Sequence, residues 1–255
     1  RAGQMIDEGA AVIDVGGEST RPGAQPVDPD EECRRVLPVV EAIATLAVER
    51  GVRVSIDTRN EVTARAAVAA GATLVNDISA RLWPVAAETG VGWVAMHMLG
   101  DPRTMQEHPD YGDVVDDVRS FLVERATAAV AGGVGEVWVD PGIGFGKTTE
   151  HNLQLIARID ELVDEGFPVL VATSRKRFTG ELSARSDAAP GPRIDGVRGG
   201  DPTPYDGPVA VDDRLEASLA TATWCMAGGV SMIRSHDVAA TVQAAVLVGG
   251  DFPTL

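Results

Sequence analysis

Lysine is nearly absent from this chain: of its 255 residues only Lys147 and Lys176 carry an ammonium side chain, the other basic residues being arginines. Positive charge as a whole is scarce. Lys and Arg number 22 against 38 Asp and Glu, a net charge of −16 at pH 7, which excludes a general nucleic-acid or anionic-membrane surface. Any anion the protein binds must meet a local basic pocket. Cysteine is scarce too, and Cys33 and Cys225 stand far apart in helix-like surroundings, which excludes a disulfide scaffold and points to a reducing cytoplasm. The four histidines, His97, His108, His151 and His236, have no metal-ligand spacing, and no Cys-x-x-Cys occurs. A Gly-x-Ser-x-Gly elbow is lacking, which removes the common serine hydrolases. The longest uncharged run, Ala217 to Ile233, is broken by Ser218, Thr221, Thr223 and Gly228-Gly229 and is too polar to span a membrane. The opening residues do not read as a signal peptide. Small molecules, not nucleic acid or membrane, are the expected partners.

What the chain has is 44% hydrophobic residues, enough for a sizeable core, arranged in an alternating rhythm. Seven short apolar runs predict strands: Ala11–Val15, Arg53–Asp57, Thr73–Asn76, Gly92–Met96, Glu136–Asp140, Pro168–Thr173 and Ser231–Arg234. Most are apolar on both faces, as buried parallel strands require. Eight segments of helical period lie around them: Gln4–Glu8, Pro29–Arg50, Glu61–Ala70, Trp83–Glu88, Val114–Ala131, Glu150–Glu165, Asp213–Ala227 and Val238–Val248. Asp28 before Pro29 is a helix start, and Gly51, Gly71, Gly90 and Gly166 follow helix ends. Eight helices against seven strands, with a helix first, imply a first strand lying before Arg1. The total is then eight βα units, the size of an α/β (β/α)8 TIM barrel, with a doubly wound open sheet as the competing architecture. We expect one barrel domain over 1–255. Residues 183–211, with ten Gly and Pro, break the rhythm as a loop insertion, either a solvated excursion or an active-site lid.

Each predicted strand runs into polar residues: Asp14 and Gly16 to Arg21, Asp57-Thr58-Arg59, Asn76-Asp77, His97, Asp140, Ser174-Arg175-Lys176, then Arg234 and His236-Asp237. In either α/β architecture these positions share the C-terminal end of the sheet, where such folds place their sites. Singly, each Asp or Asn could be a helix cap and each Arg a surface pair. Polar closure of all seven strands is harder to explain structurally. Both lysines follow strand ends; Lys176 is the better site candidate, and Lys147 could be a solvated loop residue. The run Gly142 to Thr148 looks like a phosphate loop, yet Pro141 stands where Walker A needs Gly and Lys147 where G-x-G-x-x-G does. It reads instead as a flexible loop with one exposed aromatic, Phe145. Asp57, Asn76 and Asp140 could receive the adjacent N–H groups of a flat aminopyrimidinone ring, and Arg21, Arg234 and His236 could hold a phosphate or pyrophosphate.

Seven segments in order resemble the dihydropteroate synthase family: Asp14 to Gly23, Ser55 to Thr58, Asn76 to Ser79, Met96-His97-Met98, Asp140 to Lys147, Ser174-Arg175-Lys176 and Ile233 to Asp237. The resemblance implies a pterin-binding (β/α)8 barrel, a transferase of folate biosynthesis that joins 6-hydroxymethyl-7,8-dihydropterin pyrophosphate to p-aminobenzoate. It implies a cytoplasmic homodimer using Mg2+. By the same resemblance Asp57, Asn76, Asp140 and Lys176 hold the pterin, with Met96 beside it, and Lys176, Asp57 and Asp140 form the catalytic set. Arg234 and His236 take the pyrophosphate, and Thr20, Arg21, Pro22, Phe145 and Ser174 shape the p-aminobenzoate site. The metal ligands stay unassigned, because the family's Asn near Mg2+ belongs to the strand expected before Arg1. Two further departures are Ala172 where the family has Gly, and a shortened stretch from Ser79 to Glu88. A non-catalytic pterin-binding paralogue, an inactive fragment, and a pterin-dependent methyltransferase remain alternatives. The Thr20 to Gly23 and Ser174-Arg175-Lys176 segments belong to the synthase pattern.

Overall fold

Seven short strands carry the architecture in the computed structural model, which describes residues 1–20, 24–188 and 207–249. They are β1 (Val12–Gly16), β2 (Arg53–Asp57), β3 (Leu74–Asp77), β4 (Gly92–Met96), β5 (Val137–Asp140), β6 (Leu170–Val171) and β7 (Met232–Ile233). All pairings are parallel and sequential. β1 to β5 form one ladder, a Val139–Val169 bridge leads on to β6, and β6 pairs with β7. The strand order never reverses, as it would in a doubly wound sheet. This is the winding of a (β/α)8 barrel, seven of whose strands lie among the described residues. Among the described residues ten helices wrap it: α1 (Ala2–Asp7), α2 (Pro29–Glu49), α3 (Glu61–Ala69), α4 (Trp83–Thr89), α5 (Val114–Ala131), α6 (Thr149–Ala157), α7 (Ile159–Val163), α8 (Arg177–Ala188), α9 (Leu215–Ala227) and α10 (Val238–Val248). The predicted start of α2 is present, Asp28 accepting from the Asp30 amide at 2.9 Å with Pro29 at the first helical position.

Register divides each strand between two environments. One face packs outward under the helices: Val54, Ile56, Val75, Trp93, Ala95, Val139 and Val171 belong to the main core. The other face fills the barrel, where Leu74, Val94 and Leu170 form a small apolar layer with Val12, Trp138 and Met232. Below that layer Arg53 and Glu136 pair through two hydrogen bonds of 2.6 and 3.0 Å, and the Trp138 indole donates to the same carboxylate. Gly92 faces Glu136: a Cβ there would stand 2.6 Å from a carboxylate oxygen, so the strand leaves that space for the ion pair. Above the apolar layer the rows become polar, Asp57 in register with Asn76 and Met96 with Asp140.

Three expectations change. Residues 183–188 are helical, the end of α8, and Val211–Asp213 forms a 3-10 turn, so the loop is shorter than 183–211; residues 189–206 lie outside the described residues. α8 was missed because its sequence is mostly polar; Gly180 inside it lets Arg214 approach, a Cβ there standing 2.5 Å from Nε. The single helix over 150–165 breaks at Arg158, whose backbone leaves the helical range and whose guanidinium instead ties Glu161 to Asp113. α4 forms despite the short stretch before it, with Pro84 in its first turn.

The reason lies in Asp77, next to Asn76 but on the outer face. Fully buried, its carboxylate accepts from the Ser79 amide and hydroxyl, the Arg81 and Leu82 amides and the Trp93 indole, at 2.6 to 3.2 Å. Those bonds shape the turn that starts α4. Asp77→Ala orphans several buried donors at about 1–3 kcal/mol each, so urea unfolding should show a loss of roughly 3 kcal/mol or more. An unchanged midpoint would contradict this role.

Candidate active site

A carboxylate in the middle of a buried strand is costly unless it is paired, and the barrel's polar end holds three acids, Asp14, Asp57 and Asp140. Arg234, just past β7, meets the first two. Its Nε donates to Asp14 at 2.6 Å and its second amino group to Asp57 at 3.3 Å. Asn76 donates to the same Asp14 oxygen at 3.1 Å. The remaining oxygens, Asp14 Oδ1 and Asn76 Oδ1, are buried and accept nothing from the protein, which leaves polar acceptors available to a ligand. Asp140, at the end of β5, accepts from the Gly142 amide at 2.7 Å.

Lys176 enters from the start of α8. Its ammonium donates to the Ile143 carbonyl and lies 4.7 Å over the ring of Phe145. Met96 is buried in register with Asp140. Ser174 accepts from the His236 amide at 3.1 Å and lies at the same distance from His236 Nδ1. Arg175 is held in the left-handed region, φ 58°, by a bidentate pair with Asp237 at 2.9 and 2.5 Å. The loops after β6 and β7 are thereby fastened together. Thr20 is half-buried beyond β1. Arg21 and Pro22 lie outside the described residues.

The charges act on one another across the barrel mouth. Burial, reinforced by Asp14, raises Asp57 to about 7, with Arg234 opposing. Asp140 is raised by burial against the pull of Lys176. Burial lowers Lys176 to about 8, Asp140 holding it up. Arg234 is pushed further into its charged form, first by Asp14. Perturbed groups of both signs at the C-terminal end of a barrel are what a binding or catalytic site presents.

Among the described residues no three His, Cys, Asp or Glu side chains group as a metal site, and Asp14 and Asp57 are already engaged by Arg234. The side chains present therefore do not form a magnesium site of their own.

A model of the pterin binding enzyme family matches residues 1–236. The chain belongs to the pterin-binding enzymes. It is similar to the dihydropteroate synthase of Mycobacterium leprae, 43% identical over 253 residues, covering 96% of this chain and 81% of that protein. Dihydropteroate synthase from Thermus thermophilus in complex with 4-aminobenzoate superposes with a TM-score of 0.82 at 41% identity, over 98% of this chain and 87% of that one. The same enzyme in complex with 6HMPPP gives 0.77 at 39% identity, over 96% and 85%.

At the barrel mouth the structure brings together Asp57, Asn76, Asp140, Lys176 and Arg234, places Phe145 against Lys176, and seats Ser174 on His236. It corrects Lys147, which is no solvated loop residue: the residue is only 3% exposed. Glu18 and Arg59, polar after β1 and β2, pair with each other at 2.8 Å. Two participants went unassigned in the sequence. Asp14 was noted among the polar residues closing the first strand but was given no role. Glu32 on α2, fully buried, gathers Thr58, Asn60 and Thr63 onto one oxygen and so shapes the loop after β2; nothing in helical period distinguishes it.

Because Asp57 titrates near 7 when folded and near 3.8 when unfolded, the folded state binds more protons between those values. Stability contributed by this group is therefore full below about 4 and is lost as pH rises towards 7. Asp57→Asn should flatten that part of the stability profile relative to the parent; parallel profiles would refute the shift.

Proposed function

We propose that the chain is a dihydropteroate synthase, joining 6-hydroxymethyl-7,8-dihydropterin pyrophosphate to p-aminobenzoate and releasing 7,8-dihydropteroate and pyrophosphate. One observation carries the reading: in a pterin-binding chain, Asp57, Asn76, Asp140, Lys176 and Arg234 arrive from five βα units and converge with Asp14 at one barrel mouth. Asp57 and Asn76 offer acceptors to the N–H edge of the pterin, and Asp140 adds a third from β5. Lys176 donates to a ring acceptor, and Met96 packs beside the ring. Arg234 and His236 hold the pyrophosphate. Thr20, Phe145 and Ser174, with Arg21 and Pro22 beyond the described residues, shape the p-aminobenzoate site.

The chemistry follows from these charges. The bond between the pterin methylene carbon and the pyrophosphate oxygen breaks, and its electron pair leaves on pyrophosphate, where Arg234 offsets the gathering negative charge. The ring cation left behind is stabilised by the carboxylates of Asp57 and Asp140. The aromatic amine nitrogen then attacks the methylene carbon and sheds one proton to solvent or to the departing pyrophosphate. No side chain need be acylated or phosphorylated.

Magnesium enters this reading from the family resemblance alone; as the described side chains form no site for it, it would come with the pyrophosphate oxygens, and no step here runs through it. A cytoplasmic homodimer completes the proposal. Its dimer half is supported by α9 and α10, which leave Trp224, Val246 and Leu247 exposed, and its reducing compartment by the free thiols of Cys33 and Cys225. Among the described residues no helix is long and apolar enough to cross a membrane.

The deciding experiment is pyrophosphate release by the purified chain with and without p-aminobenzoate. Release should require the arylamine, and Lys176→Met should lower kcat about 100-fold or more while circular dichroism stays that of the parent. Pterin binding without release would indicate a non-catalytic binder. Undiminished turnover in the variant would remove Lys176 from the mechanism.

A further inference from the structure

Both of the chain's lysines close on a single loop. Between β5 and α6, five consecutive carbonyls, Gly142 to Gly146, each accept a hydrogen bond from a side chain. Lys147 Nζ donates to Gly142 at 3.0 Å and to Phe145 at 3.1 Å. Lys176 Nζ takes Ile143, Gln106 takes Gly144 at 2.6 Å, and the Tyr111 hydroxyl takes Gly146 at 2.8 Å. The third Lys147 proton points at His97 Nδ1, 2.9 Å away, which makes that nitrogen an acceptor. Gly142 admits no side chain, because a Cβ there would lie 1.8 Å from the His97 carbonyl oxygen. The loop thus rests directly on the chain after β4, and its shape is set by its own Lys147 together with Lys176, Gln106 and Tyr111 from outside it.

A buried ammonium is an expensive way to hold a turn, and the synthase mechanism makes no use of this one. Its three protons match three acceptors, and one of these is the carbonyl of Phe145, whose ring lies under Lys176. We propose that Lys147 is a positioning residue for the arylamine half of the site: anchored on His97, it fixes the carbonyls of Gly142 and Phe145 and so the place of the Phe145 ring against the incoming p-aminobenzoate. This rests on the synthase reading above.

The groups facing Lys147 from the surrounding elements are Asp140 of β5, His97 after β4, Tyr111 ahead of α5 with His151 of α6 against its ring, and Lys176 of α8. Burial, with help from Lys176 and against Asp140, lowers Lys147 to about 7, while burial and Lys147 hold His97 at about 3. Above neutrality the amine loses one of its three donors, and His97 stays neutral. The grip on the loop is then strongest at and below about pH 7.

The test is a double-mutant cycle in the full chain, with kcat and both KM values measured for the parent, Lys147→Met, Phe145→Leu and the pair. Lys147→Met should raise KM for p-aminobenzoate about tenfold or more and KM for pterin pyrophosphate less than twofold. The pair should be no worse than Phe145→Leu alone, and the alkaline rise in p-aminobenzoate KM should vanish in Lys147→Met. Additive effects, or equal rises in both KM values, would overturn the proposal. Should Lys147→Met not fold, Lys147→Gln, which keeps a polar donor but no ammonium, takes its place in the same cycle and the same outcomes decide. A parent lacking p-aminobenzoate-dependent release refutes the synthase reading and this proposal with it; additivity in an active parent refutes this proposal alone.

Discussion

Arg234, bridging Asp14 and Asp57, is the contact on which the arrangement turns. Among the described residues β7 pairs with β6 and β1 with β2, so this guanidinium is what ties the last strand to the first two at the site end. It also settles an electrostatic problem. Three acids at one barrel mouth repel one another, and Arg234, Lys176 and Lys147 each act on one or more of them. Burial, with Asp14 adding to it, raises the proton affinity of Asp57 until the group is shared between two forms near neutral pH. A ligand that brings N–H donors to Asp57 and negative charge to Arg234 resolves both strains at once. A pterin carrying pyrophosphate is such a ligand.

The same economy explains the chain's charge composition. Arginine serves the surface and structural pairs, Arg53 with Glu136, Arg175 with Asp237, Arg158 with Glu161, where a planar fork matches a carboxylate. Lysine is kept for two places where a compact ammonium must meet carbonyls, and both lie on the loop that carries Phe145. Apolar layers isolate this polar end, one inside the barrel and one beneath the helices, so the site's charges act through little water.

Much of this was readable in the sequence because it depends on period and punctuation. Short Val- and Ile-rich runs place the strands within one or two residues for β1 to β5, and Asp28 with Pro29 marks the start of α2. The site residues stood out because each follows a strand. What could not be read depends on partners far along the chain. Asn76 and Asp77 look alike in sequence, yet register turns one into the barrel and the other outward onto α4. Lys147 looks like a loop residue until His97 and the carbonyls close around it. α8 is too polar to announce itself, and the predicted edges of β6 and β7 exceed the two residues that pair in each.

The central claim is that Asp57 waits partly protonated and receives the pterin as a carboxylate. Calorimetric titration of a neutral pterin lacking phosphate, at pH 7 in buffers of different ionisation enthalpy, measures this directly. The account predicts release of about half a proton on binding, abolished in Asp57→Asn. Binding enthalpies independent of the buffer in the parent would contradict it.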